Sequence, residues 1–265
     1  MSAVTRQRLD EAVVARGLAE NRSRARALIL AGDILVNGQP ITRAGAVVHP
    51  TDAIDVRARR RFVSRGGEKL DHALAAFDLD VCGLVCADIG ASVGGFTDCL
   101  LQAGAARVYA IDVGYGQLDP HLRADPRVVV MERTNARYLK ALPEPVSLVT
   151  VDVSFISLRH ILPVAARLLV EGGRCVPLIK PQFEAGRRQV GSGGVVRDPE
   201  VHRRVLTDVL AWAEGVGFTV EGVARSPLRG PAGNVEYFAC LRLGRAEGQE
   251  TGAWTDEIEA VLVER

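Results

Sequence analysis

Hydrophobic positions along the chain follow two rhythms. From residue 84 onward, compact apolar runs alternate with stretches in which apolar side chains recur every three or four positions. The runs 84–89, 106–111, 128–131, 146–151, 173–179, 218–224 and 234–243 predict seven strands. Phe96, Cys99, Leu100 and Ala103 predict a helix after the first strand, and 157–170 predicts another. Asp198-Pro199 opens a long helix that Gly217 stops, and Ile258, Val261 and Leu262 dock a last helix over 254–263. Ahead of the first strand, Leu70, Ala73, Leu74 and Phe77 form the inner stripe of a helix over 67–77. Strands alternating with helices predict an α/β fold with a mainly parallel sheet. The last two strands are joined by the Gly- and Pro-rich turn 228–233, so the final strand is expected to run in reverse.

The first 57 residues keep a different rhythm. Leu9, Ala12 and Val13 mark a short helix ending at Gly17, and Asn21 caps a second over 22–31 that Gly32 stops. Strand 34–36 meets Asn37-Gly38, a strong hairpin turn, and short strands follow around 47–48 and 54–56. The reading is a small α+β domain over 1–57, a basic linker over 58–65 with Phe62-Val63 packing between domains, and a main domain over 66–265.

Charge sharpens this division. The whole chain carries +1, yet residues 1–65 hold 12 Arg, no Lys and six acids, a balance of +6. The remainder holds 21 basic and 26 acidic residues. A basic head on a mildly acidic body suits a polyanion, and arginine forks suit phosphate. Arg61 and Arg65 in the linker, and Arg187 and Arg188 in the glycine-hinged loop 185–197, extend the basic surface; that mobile loop suits a lid over a polynucleotide, with plain disorder as the other reading. The five cysteines are scattered and odd in number, so neither disulfides nor a metal site are expected. No apolar run approaches the ~20 residues of a membrane helix, and the N-terminus has no signal core. A cytoplasmic protein without membrane contact or obligate protein partner is expected.

The densest chemistry lies at the first strand–helix turn. Gly90, Gly94 and Gly95 let a ligand approach the backbone where a helix begins. Asp112 ends the next strand, where a βαβ nucleotide fold places an acid against the ribose hydroxyls. The spacing Gly-x-x-x-Gly-Gly fits a tight pyrophosphate turn poorly and an adenosine bearing a sulfonium better. S-adenosylmethionine is therefore the expected cofactor, with Gly90, Ala91, Ser92, Gly94, Gly95, Phe96, Asp112, Val113, Arg133, Asn135, Asp152 and Phe155 as candidate contacts. Four charged residues fall on strand rims or near this turn: Lys69, Asp152, Lys180 and Glu236. Methylating a ribose hydroxyl requires a base, and a lysine serves only when a neighbouring cation or burial favours its neutral form. The acids would hold the lysines in place.

Two resemblances follow from these motifs. Arg8-Leu-Asp10, Asn21-Arg-Ser-Arg-Ala-Arg26, Ala31-Gly-Asp-Ile-Leu-Val-Asn-Gly38 and Asp52-x-Ile-Asp-Val56 resemble the S-four RNA-binding domain over about 3–56, which implies that Arg6, Arg8, Arg22, Arg24 and Arg26 face RNA. Ser64-Arg-Gly-Gly-Glu-Lys-Leu70, Asp88-Ile-Gly-Ala-Ser-Val-Gly-Gly-Phe-Thr-Asp98, Ile111-Asp-Val-Gly-Tyr-Gly-Gln-Leu118, Val151-Asp-Val-Ser-Phe-Ile-Ser-Leu158, Ile179-Lys-Pro-Gln-Phe-Glu184 and Gly233-Asn-Val-Glu236 resemble the TlyA (hemolysin A) family. The Lys-Asp-Lys-Glu set is similar to the tetrad of FtsJ-type ribose methyltransferases. The resemblance implies a class I, Rossmann-like seven-stranded methyltransferase domain that methylates a cytidine 2′-hydroxyl in ribosomal RNA of the small or large subunit. It also implies Lys180 as base, Asp152 and Lys69 as orienting groups and Glu236 as support. The competing readings are a non-catalytic RNA-binding or ribosome-assembly factor, a membrane-active hemolysin and a dinucleotide dehydrogenase. The first needs no tetrad, the second lacks an apolar segment to act with, and the third would bind NADH instead.

Overall fold

A computed structural model describes residues 6–30, 32–56, 61–244, 252 and 254–263. The chain divides into two compact units, 1–60 and 61–265.

In the first unit, helices Leu9–Ala15 and Arg22–Leu30 pack on a three-stranded sheet in which Ile34–Val36 pairs with Gln39–Pro40 and with Ile54–Val56, both antiparallel. Asn37 and Gly38 both take positive φ, as the hairpin motif requires. Asn21 accepts the backbone N–H of Arg24 and caps the second helix. Its expected end at Ala31 lies outside the described residues. The core is small: Leu9, Ala12, Val13, Ala25, Ile29, Ile34, Val48 and Ile54. One charged side chain, Asp10, is fully buried beside it.

The second unit is built on one seven-stranded sheet. Its strands are β1 (Val85–Ile89), β2 (Arg107–Ile111), β3 (Val128–Met131), β4 (Val146–Val151), β5 (Leu169–Ile179), β6 (Phe218–Arg225) and β7 (Tyr237–Leu243). They lie in the order β6-β7-β5-β4-β1-β2-β3, parallel except for β7, which runs against both neighbours. Successive residues of each strand serve opposite layers. Ala87, Ile89, Val149, Val151, Cys175 and Ile179 pack on one side, with helices Leu162–Leu168, Pro199–Val216 and Thr255–Val263. Cys86, Leu148, Val176 and Leu178 pack on the other, with helices Arg65–Ala76 and Gly95–Gln102. The sheet is covered on both faces, which is why its strands read as continuous apolar runs.

Several boundaries differ from the sequence reading. The helix expected over 157–170 is a 3-10 turn, Leu158–His160, followed by Leu162–Leu168, because Pro163 forces a fresh helix start. β5 consequently begins at Leu169 and bends through Glu171-Gly172-Gly173, where its register with β4 shifts. Glu236 sits just before β7 rather than on it. Residues 61–65 belong to the second unit: Phe62 is buried in its core and Ser64 caps helix Arg65–Ala76. Of the expected linker, 58–60 lies outside the described residues. Among the described residues, no helix is long and apolar enough to cross a membrane.

Candidate active site

The sheet order reverses between β1 and β4, the position at which open α/β sheets bind ligands beyond their carboxyl ends. β1 leaves the sheet at Gly90 and β4 at Asp152, and the two exits touch. A Cβ on Gly90 would stand 2.3 Å from the Asp152 carbonyl oxygen, and its φ is +90°, so glycine is required here. Beyond these exits lies a cavity of about 500 Å³, within the range of small-molecule sites.

Seven of the expected cofactor contacts line it: Gly90, Ser92, Asp112, Val113, Asn135, Asp152 and Phe155. Asp112 accepts the backbone N–H of Ser92 at 2.8 Å and of Gly114 at 2.6 Å, one on each oxygen. Each oxygen keeps a lone pair for a hydroxyl donor, which fits a ribose edge. Ile111, Ala136, Ile156 and Ile161 supply an apolar wall on which an adenine ring can lie.

Five expected contacts do not line the cavity. Phe96 is buried in the core, 6.0 Å from the Phe238 ring. Gly95 faces the neighbouring helix, where a Cβ would meet Ser64 Oγ at 2.1 Å; Gly94 faces Leu118 and Leu122. Both glycines serve packing. Ala91 is buried, and Arg133 lays its guanidinium 4.1 Å from the centre of the Tyr115 ring. The sequence reading missed Gln117, Thr134, Arg137 and Ser154, which do line it. Ser154 was within reach, two residues past Asp152; Gln117 and Thr134 lie on loops and Arg137 in the short 3-10 turn Ala136–Tyr138, where no periodicity encodes side-chain direction.

The four charged residues resolve into two pairs. Lys69 Nζ donates to Glu236 Oε2 at 2.5 Å, with side chains 8% and 1% exposed. Lys180 Nζ lies 2.5 Å from Asp152 Oδ1, a close ion contact without hydrogen-bond alignment, and donates to Ser154 Oγ at 3.1 Å. Register joins the pairs. Ile179 faces Tyr237 across β5 and β7, so Lys180 and Glu236 are the next positions outward on adjoining chains. Lys69 reaches Glu236 from helix Arg65–Ala76, which starts two residues earlier than expected, with Ser64 Oγ accepting the Gly66 N–H.

Neighbouring groups fix the loops. Glu184 accepts Ser157 Oγ at 2.6 Å and the Leu158 N–H at 2.8 Å, so the segments carrying Lys180 and Asp152 are clasped at both ends. Burial raises the Glu184 carboxyl. Asn234 accepts the Val196 N–H and donates to the Gly194 carbonyl, while His202 Nε2 contacts the Val196 carbonyl. The far end of loop 185–197, expected to be a free lid, is therefore pinned beside Glu236. Under the glycine turn, Asp88 is fully buried and accepts Thr97 Oγ1 at 2.7 Å and Thr150 Oγ1 at 3.2 Å. Burial, with a smaller push from the charge of Asp152, raises its carboxyl to about 7.

The expected RNA residues fall into groups. In the first unit, Arg6 and Arg24 are exposed. Arg8, Arg22 and Arg26 instead converge on Asp10, at 3.0, 3.0 and 3.3 Å. In the second unit, Arg61 pairs with Asp71, Arg65 is exposed, and Arg188 is exposed in a 3-10 turn; nothing of the Arg187 side chain is described.

Comparison with known proteins agrees with this architecture. Residues 62–243 match the FtsJ-like methyltransferase family and 7–54 match the S4 domain. The 16S/23S rRNA (cytidine-2′-O)-methyltransferase TlyA of Mycobacterium tuberculosis is 50% identical over 241 residues, 89% of this chain and 90% of that protein. The chain belongs to the TlyA (hemolysin A) family of FtsJ-like methyltransferases. Another member, Hemolysin A of Brachyspira hyodysenteriae, is 43% identical over 88% of this chain and 98% of its own. A solved structure described as a candidate hemolysin from Streptococcus thermophilus superposes with TM-score 0.74 at 41% identity, covering 98% of this chain and 96% of that one. Both family segments fall within the two compact units.

Proposed function

We propose that this protein transfers a methyl group from S-adenosylmethionine to the 2′-hydroxyl of a cytidine ribose in ribosomal RNA. The observation that carries the reading is the Lys180–Asp152 contact at the wall of a cavity shaped for an adenosine. When bound, the cofactor supplies a sulfonium-linked methyl group to an attacking oxygen. Gly90, Ser92, Asp112, Val113 and Asn135 hold its nucleoside. Lys180 Nζ, in its uncharged form, takes the hydroxyl proton, Asp152 and Ser154 fix that amine, and Lys69, from helix Arg65–Ala76, supports the set with Glu236. Phe155 is 91% exposed, and its ring centre is 5.0 Å from that of Phe183; the two rings offer a surface for an unstacked base.

The head, 1–57, supplies RNA affinity through Arg6, Arg8, Arg22, Arg24 and Arg26, with Arg61, Arg65, Arg187 and Arg188 contributing from the second unit. A ribosomal substrate puts the protein in the cytoplasm. The test is incubation of ribosomal subunits with a labelled methyl donor, followed by nucleoside analysis. The expected product is 2′-O-methylcytidine; label confined to bases, or no label, refutes the proposal.

A further inference from the structure

Among the described residues of the first unit, Asp10 is the one charged side chain that is fully buried, and three guanidiniums share it. Arg8 engages it through Nε and Nη2, at 3.0 and 3.1 Å; Arg22 and Arg26 each engage it through Nε. Asp10 has no exposed surface, while the three arginines remain 42%, 48% and 55% exposed. Two features separate this hub from a surface ion pair. Even with Glu11, which pairs with Arg22, two acids face three guanidiniums, so the cluster keeps an excess of positive charge. Arg26 spends only its Nε, so its terminal nitrogens have no partner among the described residues. The Arg8 hydrogen bond, opposed by burial and joined by Arg22, holds the Asp10 carboxyl well below the usual range, so it stays ionised.

An arginine side chain has many rotamers, and ordering several of them on a ligand opposes binding. Anchored by Nε to one buried point, the three guanidiniums have lost that freedom before any ligand arrives. We infer that Asp10 is a positioning residue for RNA binding: a buried anion that pre-orders Arg8, Arg22 and Arg26 as one phosphate-binding surface. The inference rests on the reading of the head as the RNA-binding unit.

Removing an acid from an RNA-binding face ordinarily tightens binding, because net positive charge rises. Glu11 is the built-in control: it neighbours Asp10, touches only Arg22 at 3.2 Å, and is 48% exposed. Asp10→Asn and Glu11→Gln change the charge equally. In the full-length protein, Glu11→Gln should bind ribosomal subunits as tightly as the parent or about twofold more tightly. Asp10→Asn should bind about tenfold more weakly, with the loss in KM for methyl transfer and kcat retained. Cofactor binding by calorimetry and the thermal melt report folding. If Asp10→Asn melts the head, Asp10→Glu preserves the charge and displaces the anchor by one methylene; it should also weaken binding.

Asp10→Asn binding as tightly as Glu11→Gln, with fold intact, overturns the inference, as does unchanged affinity of a folded Asp10→Glu. The reading of the head fails differently: with Asp10 intact, the double variant Arg6→Ala with Arg24→Ala would then bind subunits as tightly as the parent, although it lacks two exposed arginines that make no contact with Asp10.

Discussion

Two charged clusters of this chain use opposite stoichiometry. At the mouth of the sheet, each lysine faces its own carboxylate, Lys69 with Glu236 and Lys180 with Asp152, and most of the four side chains is withdrawn from water. In the head, one buried carboxylate serves three half-exposed arginines. One-to-one pairing cancels charge and fixes geometry, which suits a site that must place a single proton acceptor. Three arginines on one buried acid, with exposed Glu11 on one of them, fix geometry while leaving charge in excess, which suits a surface that meets many phosphates. Which chemistry a cluster can do therefore follows from its ratio of acids to bases as much as from their identity.

The sharpest way to break the comparison is at Lys180. Lys180→Ala should lower methyl transfer to ribosomal subunits by about 10³-fold, the scale of losing a positioned base, while calorimetric affinity for the cofactor stays within a small factor. Activity within about tenfold of the parent would mean that the pairs hold structure and the base lies elsewhere. A folded non-catalytic assembly factor would show no methyl transfer in either protein.

Next comes the buried partner pair. Glu236→Gln strands the Lys69 ammonium in a site 8% exposed. Removing one partner of such a pair costs about 3–5 kcal/mol, read as a lowered midpoint in urea. The double change Lys69→Met with Glu236→Gln should restore most of that stability, because no charge is left buried, and should not restore activity. If the single change costs less than about 1 kcal/mol, water reaches the pair and the contrast with the head is lost.

The sequence carried much of this, for identifiable reasons. The sheet was legible because each strand is buried on both faces and reads as an apolar run, and the reversed β7 because a short Gly/Pro turn cannot hold a crossover helix. The pairing of the tetrad was not. Lys69 lies 167 positions from Glu236, and only the register of β5 against β7 brings Glu236 beside Lys180. Gly94 and Gly95 look like ligand-facing glycines in a motif, yet their missing Cβ atoms admit neighbouring side chains. Asp10 sat within a quoted motif, but its burial depends on two helices meeting, which hydrophobic spacing does not report. Loop 185–197 read as a free lid because Asn234, which holds its end, comes 38 residues after Val196.

A third test concerns the floor of the site. The Asp88 carboxyl stands at about 7 in the fold, raised chiefly by burial, against about 3.9 in an unfolded chain. Between those values the folded state binds the proton and the unfolded state has released it. Stability should therefore fall as pH rises from about 4 to about 7, by up to roughly 1.4 kcal/mol per pH unit, and level off above. Asp88→Asn should flatten that slope. A parent and variant with superimposable stability–pH curves would show that Asp88 ionises in the fold as it does outside.

The smallest effect lies in the head and probes the other side of the comparison. Arg26→Gln removes one of three guanidiniums from Asp10 and leaves the carboxylate two partners, at 3.0 Å each. Because Arg26 is 55% exposed, its ion pair is screened by solvent, and the cost in stability should stay below about 1 kcal/mol. Binding should respond in a different coordinate. If Arg26 meets one phosphate, the slope of log affinity against log salt should shrink by about one, while the urea midpoint barely moves. A large loss of stability with an unchanged salt slope would reverse the assignment: the arginines would be there to neutralise Asp10, and the excess charge of the head would be incidental to RNA.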